Sequence, residues 1–323
     1  YSYYMTASEY AVYQDELNGK KVGIGIIPFF NPQDMAIYVA EISENSPAAL
    51  SGLQKGDKIT VINEEKVTAY NYSDLLEQLT GDQLSTVTIT FERDGASKTV
   101  SVVKGYTAQS VYSNLNGTVG YIKITEFYAT TADQLKKAVE NLSNQGATSL
   151  VFDVRGTSAG TIEYAATTLD VLVPVANEGS GALATALAKD GTEKQTFTAD
   201  ADSVSMPMLV LVNGETAGPA ELFACDLRDY GKAQLVGQKT AGNGTMQQAF
   251  PLSDGGAIVL SMAVIQPYVS ERSNQVGLTP DVEVALSDEK QTILPLLSQA
   301  EDDQFQKAYT MLTGETGEEK RLF

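Results

Sequence analysis

The chain has 323 residues, of which 43% are hydrophobic, so two domains with cores of their own are expected. It carries 41 acidic and 22 basic residues, and the net charge of −19 argues against nucleic acid as a partner and favours a soluble, charged surface. Histidine is absent, and Cys225 is the only cysteine. These counts exclude Ser-His-Asp and Cys-His catalysis within the chain, a disulfide framework and imidazole-based zinc sites. We therefore expect neither a metal nor a cofactor.

The first 20 residues are predicted to form an N-terminal helical segment of the core, helical from Ala7 and ending at Asn18-Gly19. No apolar run in the chain is long enough to cross a bilayer, and no signal-peptide pattern is present. Because the sequence begins at Tyr1 rather than at Met, we expect an export signal or a membrane anchor upstream of it.

Residues 21–105 have the pattern of a compact unit of short strands and two short helices. The predicted strands are 22–27, 36–42, 58–63, 87–91 and 98–103, and the last two are joined by a hairpin at Asp94-Gly95. Ser46 is the predicted cap of the first helix, with Pro47 at the first helical position. Ser73 is the predicted cap of the second helix, 73–79, which turns three leucines inward: Leu75, Leu76 and Leu79.

Two motifs mark this unit: Gly23-Ile-Gly-Ile26 and the longer stretch Glu44-Asn-Ser-Pro-Ala-Ala-Leu-Ser-Gly-Leu-Gln-Lys-Gly-Asp57. Together they resemble a PDZ domain of the bacterial protease type. PDZ domains add an extended peptide C-terminus to a sheet edge, while backbone N–H groups hold its carboxylate. The resemblance implies a peptide groove whose binding residues are Gly23, Ile24, Gly25, Ile26, Leu75 and Leu76. The alternative is that the two glycines only make a tight turn into the strand.

Residues 106–310 alternate between strand and helix patterns, which predicts an α/β (α+β) layered core domain. The predicted strands are 119–124, 149–154, 208–212, 233–237 and 256–262, and the predicted helices are 131–142, 161–172 and 220–230. Cys225 lies on the apolar face of the last of these helices and is expected to be buried. Residues 176–204 interrupt the pattern, with a surface hairpin predicted at 189–198. From residue 288 the chain is predicted to be helical, with 311–323 as a charged tail.

The turn at residues 213–221, Asn-Gly-Glu-Thr-Ala-Gly-Pro-Ala-Glu, joins a buried strand to a helix. Such a turn is a common position for a nucleophile, because the helix N-terminus supplies free N–H groups and a positive dipole end. Here, however, the turn carries Gly218, which has no nucleophilic side chain, and Pro219, which has no N–H. The turn therefore has the form of a catalytic site without its chemical groups.

Five further motifs follow one another along the chain: Gly120-Tyr-Ile-Lys-Ile-Thr-Glu-Phe127, Val151-Phe-Asp-Val-Arg-Gly156, Leu211-Val-Asn-Gly214, Gly237-Gln-Lys-Thr-Ala-Gly-Asn-Gly-Thr-Met-Gln247 and Gly277-Leu-Thr-Pro-Asp-Val-Glu-Val284. With the PDZ-like unit, they resemble the carboxyl-terminal processing peptidases, also called tail-specific proteases, over residues 1–310. The resemblance implies a crotonase-like peptidase core with an inserted PDZ domain. It also implies serine peptidase chemistry with a Ser-Lys dyad, which agrees with a chain that lacks histidine.

The resemblance places the family nucleophile at Gly218 and the family general base at Asn243, with the supporting glutamine retained as Gln247. Glycine cannot form an acyl-enzyme, and asparagine does not titrate near neutral pH, so neither residue can take the role that the family position requires. Both members of the expected dyad are therefore absent.

The oxyanion region is altered as well. The N–H after the family nucleophile is expected to hold the oxyanion, and Pro219 cannot donate it; one such donor is worth about 3 kcal/mol of transition-state stabilisation. The second oxyanion loop reads Asp153-Val-Arg-Gly-Thr-Ser-Ala-Gly160, which keeps Gly156 and Gly160. Replacement dyads stay open as alternatives, either Thr216 with Lys239 or a site built on Ser158.

We expect a non-catalytic member of this family, a pseudopeptidase, that binds unfolded polypeptide or protein C-termini through the PDZ groove. The alternative is an active serine- or threonine-type endopeptidase with a non-standard dyad. A third hypothesis is that the PDZ edge only docks against the core or a neighbouring subunit. A homo-oligomer or an active paralogue stays open as a further partner, and family membership suggests an extracytoplasmic location in a bacterium.

Overall fold

The computed structural model describes residues 2–173, 182–199, 203–271 and 273–314. The chain divides into two compact units. The first comprises Tyr1–Asn18, Ser110–Leu286 and Gln299–Phe323, and the second comprises Gly19–Gln109 and Ser287–Ser298. Residues 287–298, which the sequence pattern assigned to the core, thus group with the PDZ-like unit. Within the described ranges, no helix is both long enough and apolar enough to cross a membrane.

The first unit is built on a six-stranded sheet. Its strands, in spatial order, are Val111–Asn116, Val119–Ile124, Ser149–Asp153, Met208–Val212, Ala233–Gly237 and Val282–Glu283. The first pair is antiparallel and the remaining pairs are parallel. The strands Ser149–Asp153 and Met208–Val212 are buried at every position, as expected for parallel strands that are covered on both faces.

Helices cover both faces of this sheet. The helices of the unit are Ala7–Leu17, Thr131–Asn144, Ile162–Asp170, Pro219–Asp229 and Asp303–Thr313. On one face the main core contains Phe152, Val210 and Phe223, and on the other face Phe305 and Tyr309 of the last helix pack on a separate cluster. The two central strands therefore need apolar side chains in succession, which explains the apolar runs 150–152 and Met208–Val212.

A second sheet of the first unit holds the N-terminus. Its strands are Tyr3–Met5, Ala257–Pro267, Ala182–Leu187 and Glu193–Thr198, with Thr245–Pro251 also paired to the long strand; Glu126–Phe127 and Ala159–Gly160 form a separate parallel pair. The predicted helix from Ala7 is confirmed, and Thr6 caps it. The segment before Ala7 holds a strand that was not predicted, Tyr3–Met5, because its long-range partner, Ala257–Pro267, is not visible in the local sequence.

The second unit is a six-stranded antiparallel sheet with short helices. Its strands are Ile26–Asn31, Ala36–Ile42, Lys58–Ile62, Thr86–Arg93 and Ala96–Val103, with Glu65–Lys66 beside Lys58–Ile62 and a separate pair formed by Lys21–Gly23 and Gly105–Thr107. Ser46 caps the helix Pro47–Leu50, as predicted. The second helix is Tyr72–Glu77, so Ser73 lies inside it rather than at its cap. The N-cap is Asn71, whose Oδ1 accepts hydrogen bonds from the N–H and hydroxyl of Thr68 instead of capping the helix.

The predicted C-terminal helical region is divided into three parts. They are the helix Asp288–Thr292, the 3₁₀ turn Leu294–Leu296 and the helix Asp303–Thr313. The last helix continues to Thr313, so the predicted tail boundary at residue 311 falls within it, and residues 315–323 of that tail lie outside the described residues. The predicted hairpin at 189–198 is the second half of an antiparallel pair that begins at Ala182.

Candidate active site

Three loops meet at one edge of the central sheet. They follow the adjacent parallel strands Ser149–Asp153, Met208–Val212 and Ala233–Gly237. Because parallel strands end at the same edge of a sheet, residues far apart in the sequence are brought together there, and this is where ligands bind in α/β folds. The loops are residues 153–160, the turn 213–218 and residues 238–244.

Gly218 and Asn243, which the sequence assigned to the family nucleophile and base, face each other across this edge. A Cβ added to Gly218 would lie 3.8 Å from Asn243 Nδ2 and 3.9 Å from the carbonyl oxygens of Asn243 and Ser158. An added Cβ therefore has room and would lie beside the side chain of residue 243, although the φ of +57° strains any side chain at this position. Two positions separated by 25 residues in sequence thus form one local site.

Glu221 connects the two loops. Its carboxyl group is buried and accepts hydrogen bonds from the N–H of Gly218 at 3.1 Å, the N–H of Asn243 at 2.7 Å and the N–H of Gly242 at 2.9 Å, as well as from the Thr240 hydroxyl. One side chain thus satisfies donors from the turn and from the loop 238–244 together. Glu221 was visible in the sequence only as the last residue of the turn 213–221, and its role in holding the two loops was missed.

The oxyanion loop is held against the turn by main-chain bonds. The N–H of Gly156 donates to Asn213 Oδ1 at 3.0 Å, and the N–H of Ala217 donates to the Thr157 carbonyl at 3.0 Å. At Gly160, φ is +112° and an added Cβ would lie 2.1 Å from the Phe127 carbonyl oxygen, so only glycine fits there. Both retained glycines therefore shape the loop.

Pro219 is the first residue of the helix Pro219–Asp229, and proline is favoured there because the first helical N–H has no partner within the helix. In an active site of this family type, that same N–H would hold the oxyanion. Proline therefore suits the start of this helix and has no N–H to offer at that position.

The alternative nucleophiles differ in their surroundings. Thr216 is fully buried; its hydroxyl donates to the Val154 carbonyl at 2.9 Å and accepts from the Asn213 N–H at 3.0 Å. Thr216 is therefore a structural link between the turn and the oxyanion loop. Lys239 and Ser158 are exposed on the surface. Gln247 is also exposed, on the strand Thr245–Pro251.

Cys225 lies on the helix that follows the turn and is 1% exposed. Burial and the neighbouring acidic side chains raise the pKa of its thiol to about 12, so it does not supply a thiolate nucleophile at neutral pH. Among the described residues, potential metal-ligand atoms of Cys225, Asp226 and Asp229 lie within 4.8 Å of one another. Asp229, however, already accepts from the N–H groups of Val269 and Ser270 at 2.9 and 2.7 Å.

The loop of the PDZ-like unit is shaped by close contacts. At Gly25, φ is +83° and an added Cβ would lie 2.3 Å from the Ser46 Cβ, so this position requires glycine. Gly23 pairs with Gly105 and forms a bridge to Thr80. Gly23 and Gly25 therefore do shape a tight turn into the strand, as the alternative interpretation of this motif states.

Two of the predicted peptide-binding side chains do not line a groove. Ile24 and Leu75 are 1% and 0% exposed, because both side chains belong to the core of the unit. The Ile24 N–H donates to the Leu79 carbonyl at 3.1 Å. Ile26 and Leu76 are only partly buried and pack on the edge of that core, so they are the accessible apolar side chains of the predicted set.

Comparison with known proteins gives the same division of the chain. A family model described as peptidase family S41 matches residues 118–284, which is more than half of the chain. The chain belongs to the carboxyl-terminal processing peptidases of family S41. A PDZ domain model matches residues 22–103 of this S41 chain.

Similar S41 proteins come from several bacteria. The carboxy-terminal processing protease CtpA of Bacillus subtilis is 28% identical over 291 residues, covering 89% of this chain and 61% of the relative. The carboxyl-terminal-processing protease of Synechocystis is 27% identical, covering 95% of this chain and 72% of the relative. The chain spans 56% to 61% of the length of the first four curated relatives that it matches.

Solved structures share the S41 fold. The photosystem II D1 C-terminal processing protease superposes with a TM-score of 0.53 at 25% identity, covering 88% of this chain and 78% of that protein. A putative S41 protease from Bacteroides fragilis gives a TM-score of 0.64 at 20% identity, covering 97% and 86%. These matches confirm the predicted mixed α/β peptidase fold with a PDZ domain.

Proposed function

We propose that this member of the family does not hydrolyse peptide bonds and acts by binding extended polypeptides or free C-termini through its PDZ groove. The observation that carries the proposal is the direct apposition of Gly218 and Asn243 at the edge of the central sheet. The two positions that face each other there offer neither a nucleophile nor a titratable base. Pro219, beside them, lacks the donor that an oxyanion requires.

The retained framework supports a binding role. Glu221, Thr216, Gly156 and Gly160 keep the loops in place although the dyad is missing. The open strand edge of the PDZ-like unit begins directly after the Gly23-Ile-Gly-Ile26 loop, which is the arrangement that PDZ domains use for strand addition.

The test combines cleavage with binding. We expect no cleavage of an unfolded protein above a buffer blank, together with saturable binding of a fluorescent tail peptide. The same peptide with an amidated C-terminus serves as the matched control, and we expect it to bind at least about tenfold more weakly, because the loss of one charge-assisted contact is worth about 1.5–3 kcal/mol.

Robust cleavage by purified protein that disappears in Ser158→Ala or Lys239→Ala would contradict the proposal. Both residues are exposed, so these variants change the chemistry without disturbing the core. That outcome would favour an active endopeptidase with a relocated dyad. Binding that is absent, or equal for the free and amidated peptides, would contradict the peptide-binding role.

We also infer an extracytoplasmic location in a bacterial cell, since this family processes protein tails and bacterial CtpA proteases are among the relatives. Fractionation of the source cells with antibody detection tests this inference. Recovery of the full-length protein only with cytoplasmic markers would overturn it.

A further inference from the structure

The strand Ile26–Asn31 forms one edge of the PDZ sheet. In the described part of the chain it pairs on one side only, with Ala36–Ile42. Its other side is the edge to which a peptide strand would be added, through alternate main-chain N–H and C=O groups. The chemistry of this edge therefore depends on which residues turn their main-chain groups towards it.

Ile26 turns its main chain to the open edge. The Ser43 N–H donates to the Gly25 carbonyl at 2.9 Å, and these residues flank the directly opposed pair Ile26 and Ile42. In an antiparallel ladder, bonds that flank a pair in this way identify it as the non-hydrogen-bonded kind. The N–H and C=O of Ile26 consequently point away from the neighbouring strand.

Pro28 faces the same open edge, two residues further on. Its partner Val39 donates its N–H to the Asp57 carbonyl at 3.0 Å and accepts from the Gly56 N–H at 2.8 Å, so the main chain of Val39 is turned away from Pro28. The alternation of main-chain directions counted from Ile26 and the hydrogen bonds of Val39 therefore both place the main chain of Pro28 at the open edge. Within a paired strand, proline avoids the loss of a ladder hydrogen bond only where its nitrogen faces the unpaired side.

The edge consequently lacks one main-chain N–H donor, at Pro28. A tail whose last residue pairs with Ile26 places its third-last residue opposite Pro28, because edge-facing residues alternate. Proline has no N–H, so the carbonyl of that third-last residue finds no donor on the protein. The Pro28 carbonyl is still available to accept the N–H of the same residue.

An aromatic stack lies just beyond this point on the same strand face. Phe30 follows Pro28 by two residues and stacks on Tyr72 of the helix Tyr72–Glu77, with ring centroids 4.0 Å apart and planes 8° apart. Both rings are partly exposed. The stack offers apolar surface beside the position where the main-chain bond is missing.

We propose that Pro28 removes one main-chain hydrogen bond from the peptide groove. The third-last residue of a bound tail is therefore recognised through its own side chain, which must be apolar to pack on the Phe30–Tyr72 stack. This inference rests on the proposed peptide-binding function. It assigns the ligand class as free C-terminal tails with a large apolar residue in the third-last place.

Pro28→Ala is the first test, with fluorescence anisotropy of a tail peptide as the readout. Restoring the N–H supplies one hydrogen bond, worth about 0.5–1.5 kcal/mol, so the affinity is expected to rise about two- to twelvefold. Pro32→Ala is the matched control, since Pro32 lies in the exposed turn after the strand, and we expect no change.

A peptide with an ester in place of the amide after its third-last residue provides a second readout, because an ester carbonyl is the weaker acceptor. We expect the ester to leave wild-type affinity unchanged and to abolish the gain in Pro28→Ala. We further expect a leucine-to-glycine change in the third-last residue to weaken wild-type binding about fivefold or more, and Tyr72→Ala to remove that preference.

The outcomes separate the two proposals. Equal affinities of wild type and Pro28→Ala for a peptide that both bind, or equal affinities of wild type for the leucine and glycine peptides, would overturn this inference alone. Absence of binding by both proteins would overturn the peptide-binding function and this inference with it.

Discussion

Gly218 has a backbone conformation that glycine adopts freely and a serine would not. Its φ is +57° and its ψ is −116°, at the junction between the turn and the helix Pro219–Asp229. Non-glycine residues held in such regions cost about 1–3 kcal/mol, and such strain is common at catalytic positions. A glycine here therefore relieves backbone strain, and under the proposed function it also leaves the site without a nucleophile.

Glu221 is expected to stabilise the site, because its carboxyl group bonds to donors of both the turn and the loop 238–244. Glu221→Ala leaves the buried N–H groups of Gly218 and Gly242, the partly buried N–H of Asn243 and the Thr240 hydroxyl without their acceptor, so we expect the free energy of unfolding to fall by about 3 kcal/mol or more in urea denaturation. Glu163→Ala is the control, because Glu163 lies in the first turn of another helix and is exposed. If Glu221→Ala lowered the free energy of unfolding by less than about 1 kcal/mol, Glu221 would not be the residue that holds the two loops together.

Asp226 makes stability depend on pH. It is buried, its Oδ2 has no hydrogen-bond partner, and its pKa is raised well above the ordinary value, first by burial and also by the nearby Asp229. Because the folded pKa exceeds the unfolded value of about 3.9, its contribution is fully present below that value and is lost as the pH rises through the folded pKa.

Asp226→Asn removes that titration. We expect the variant to be more stable than the wild type at pH 7.5, by about 1–3 kcal/mol, and the difference to shrink towards pH 4. Thermal or urea unfolding from pH 4 to 8 measures it. A constant difference between the two proteins over this range would show that Asp226 does not titrate there.

The oxyanion loop is tied to the C-terminal helix by a buried ion network. Arg155 contacts Asp153 and Asp302 at 2.6 Å each, and its Nη1 donates to Gln304 at 2.8 Å. Burial by itself raises the pKa of Asp153, but the charge and hydrogen bonds of Arg155 outweigh it, so the pKa lies below the ordinary value. That contribution is present above the unfolded pKa of about 3.9 and is lost as the pH falls through the folded pKa.

Arg155→Met is expected to lower the free energy of unfolding by about 3–5 kcal/mol at neutral pH, because it leaves two buried carboxyl groups without their cation. Lys55→Met breaks the pair between the exposed Lys55 and the partly buried Glu41 and is the control, with an expected loss of at most about 1 kcal/mol. Similar losses for the two variants in urea denaturation would contradict a structural role for the network.

Single elements were predictable where local sequence and environment agree. The strands Ala36–Ile42, Val119–Ile124, Met208–Val212 and Ala233–Gly237 have the predicted bounds, because short, mostly apolar runs between turns specify them. The strand Tyr3–Met5 and the start of the hairpin at Ala182 were missed. Both are stabilised by pairing with Ala257–Pro267, a partner more than 60 residues away that leaves no local signal.

At the scale of the molecule, the three proposed losses fall on neighbouring residues, because Gly218, Pro219 and Asn243 lie together at one edge of one sheet. Restoring the chemistry should therefore require all three changes together. We expect measurable cleavage of an unfolded protein only by the triple variant Gly218→Ser, Pro219→Ala and Asn243→Lys, because nucleophile, oxyanion donor and base act as a unit. Cleavage by the Gly218→Ser variant alone, equal to that of the triple variant, would show that neither Pro219 nor Asn243 is an obstacle.

The sequence by itself determined the family, the mixed α/β fold with a PDZ domain, and the absence of imidazole and of a serine in the turn 213–221. These follow from ordered motifs and from residue identity, which need no coordinates. Only the tertiary structure decided that Gly218 faces Asn243, that Thr216 is buried and hydrogen-bonded, and that Ile24 and Leu75 belong to the core. The physical reason is that parallel strands and sheet edges bring distant residues together, and sequence spacing does not encode that proximity.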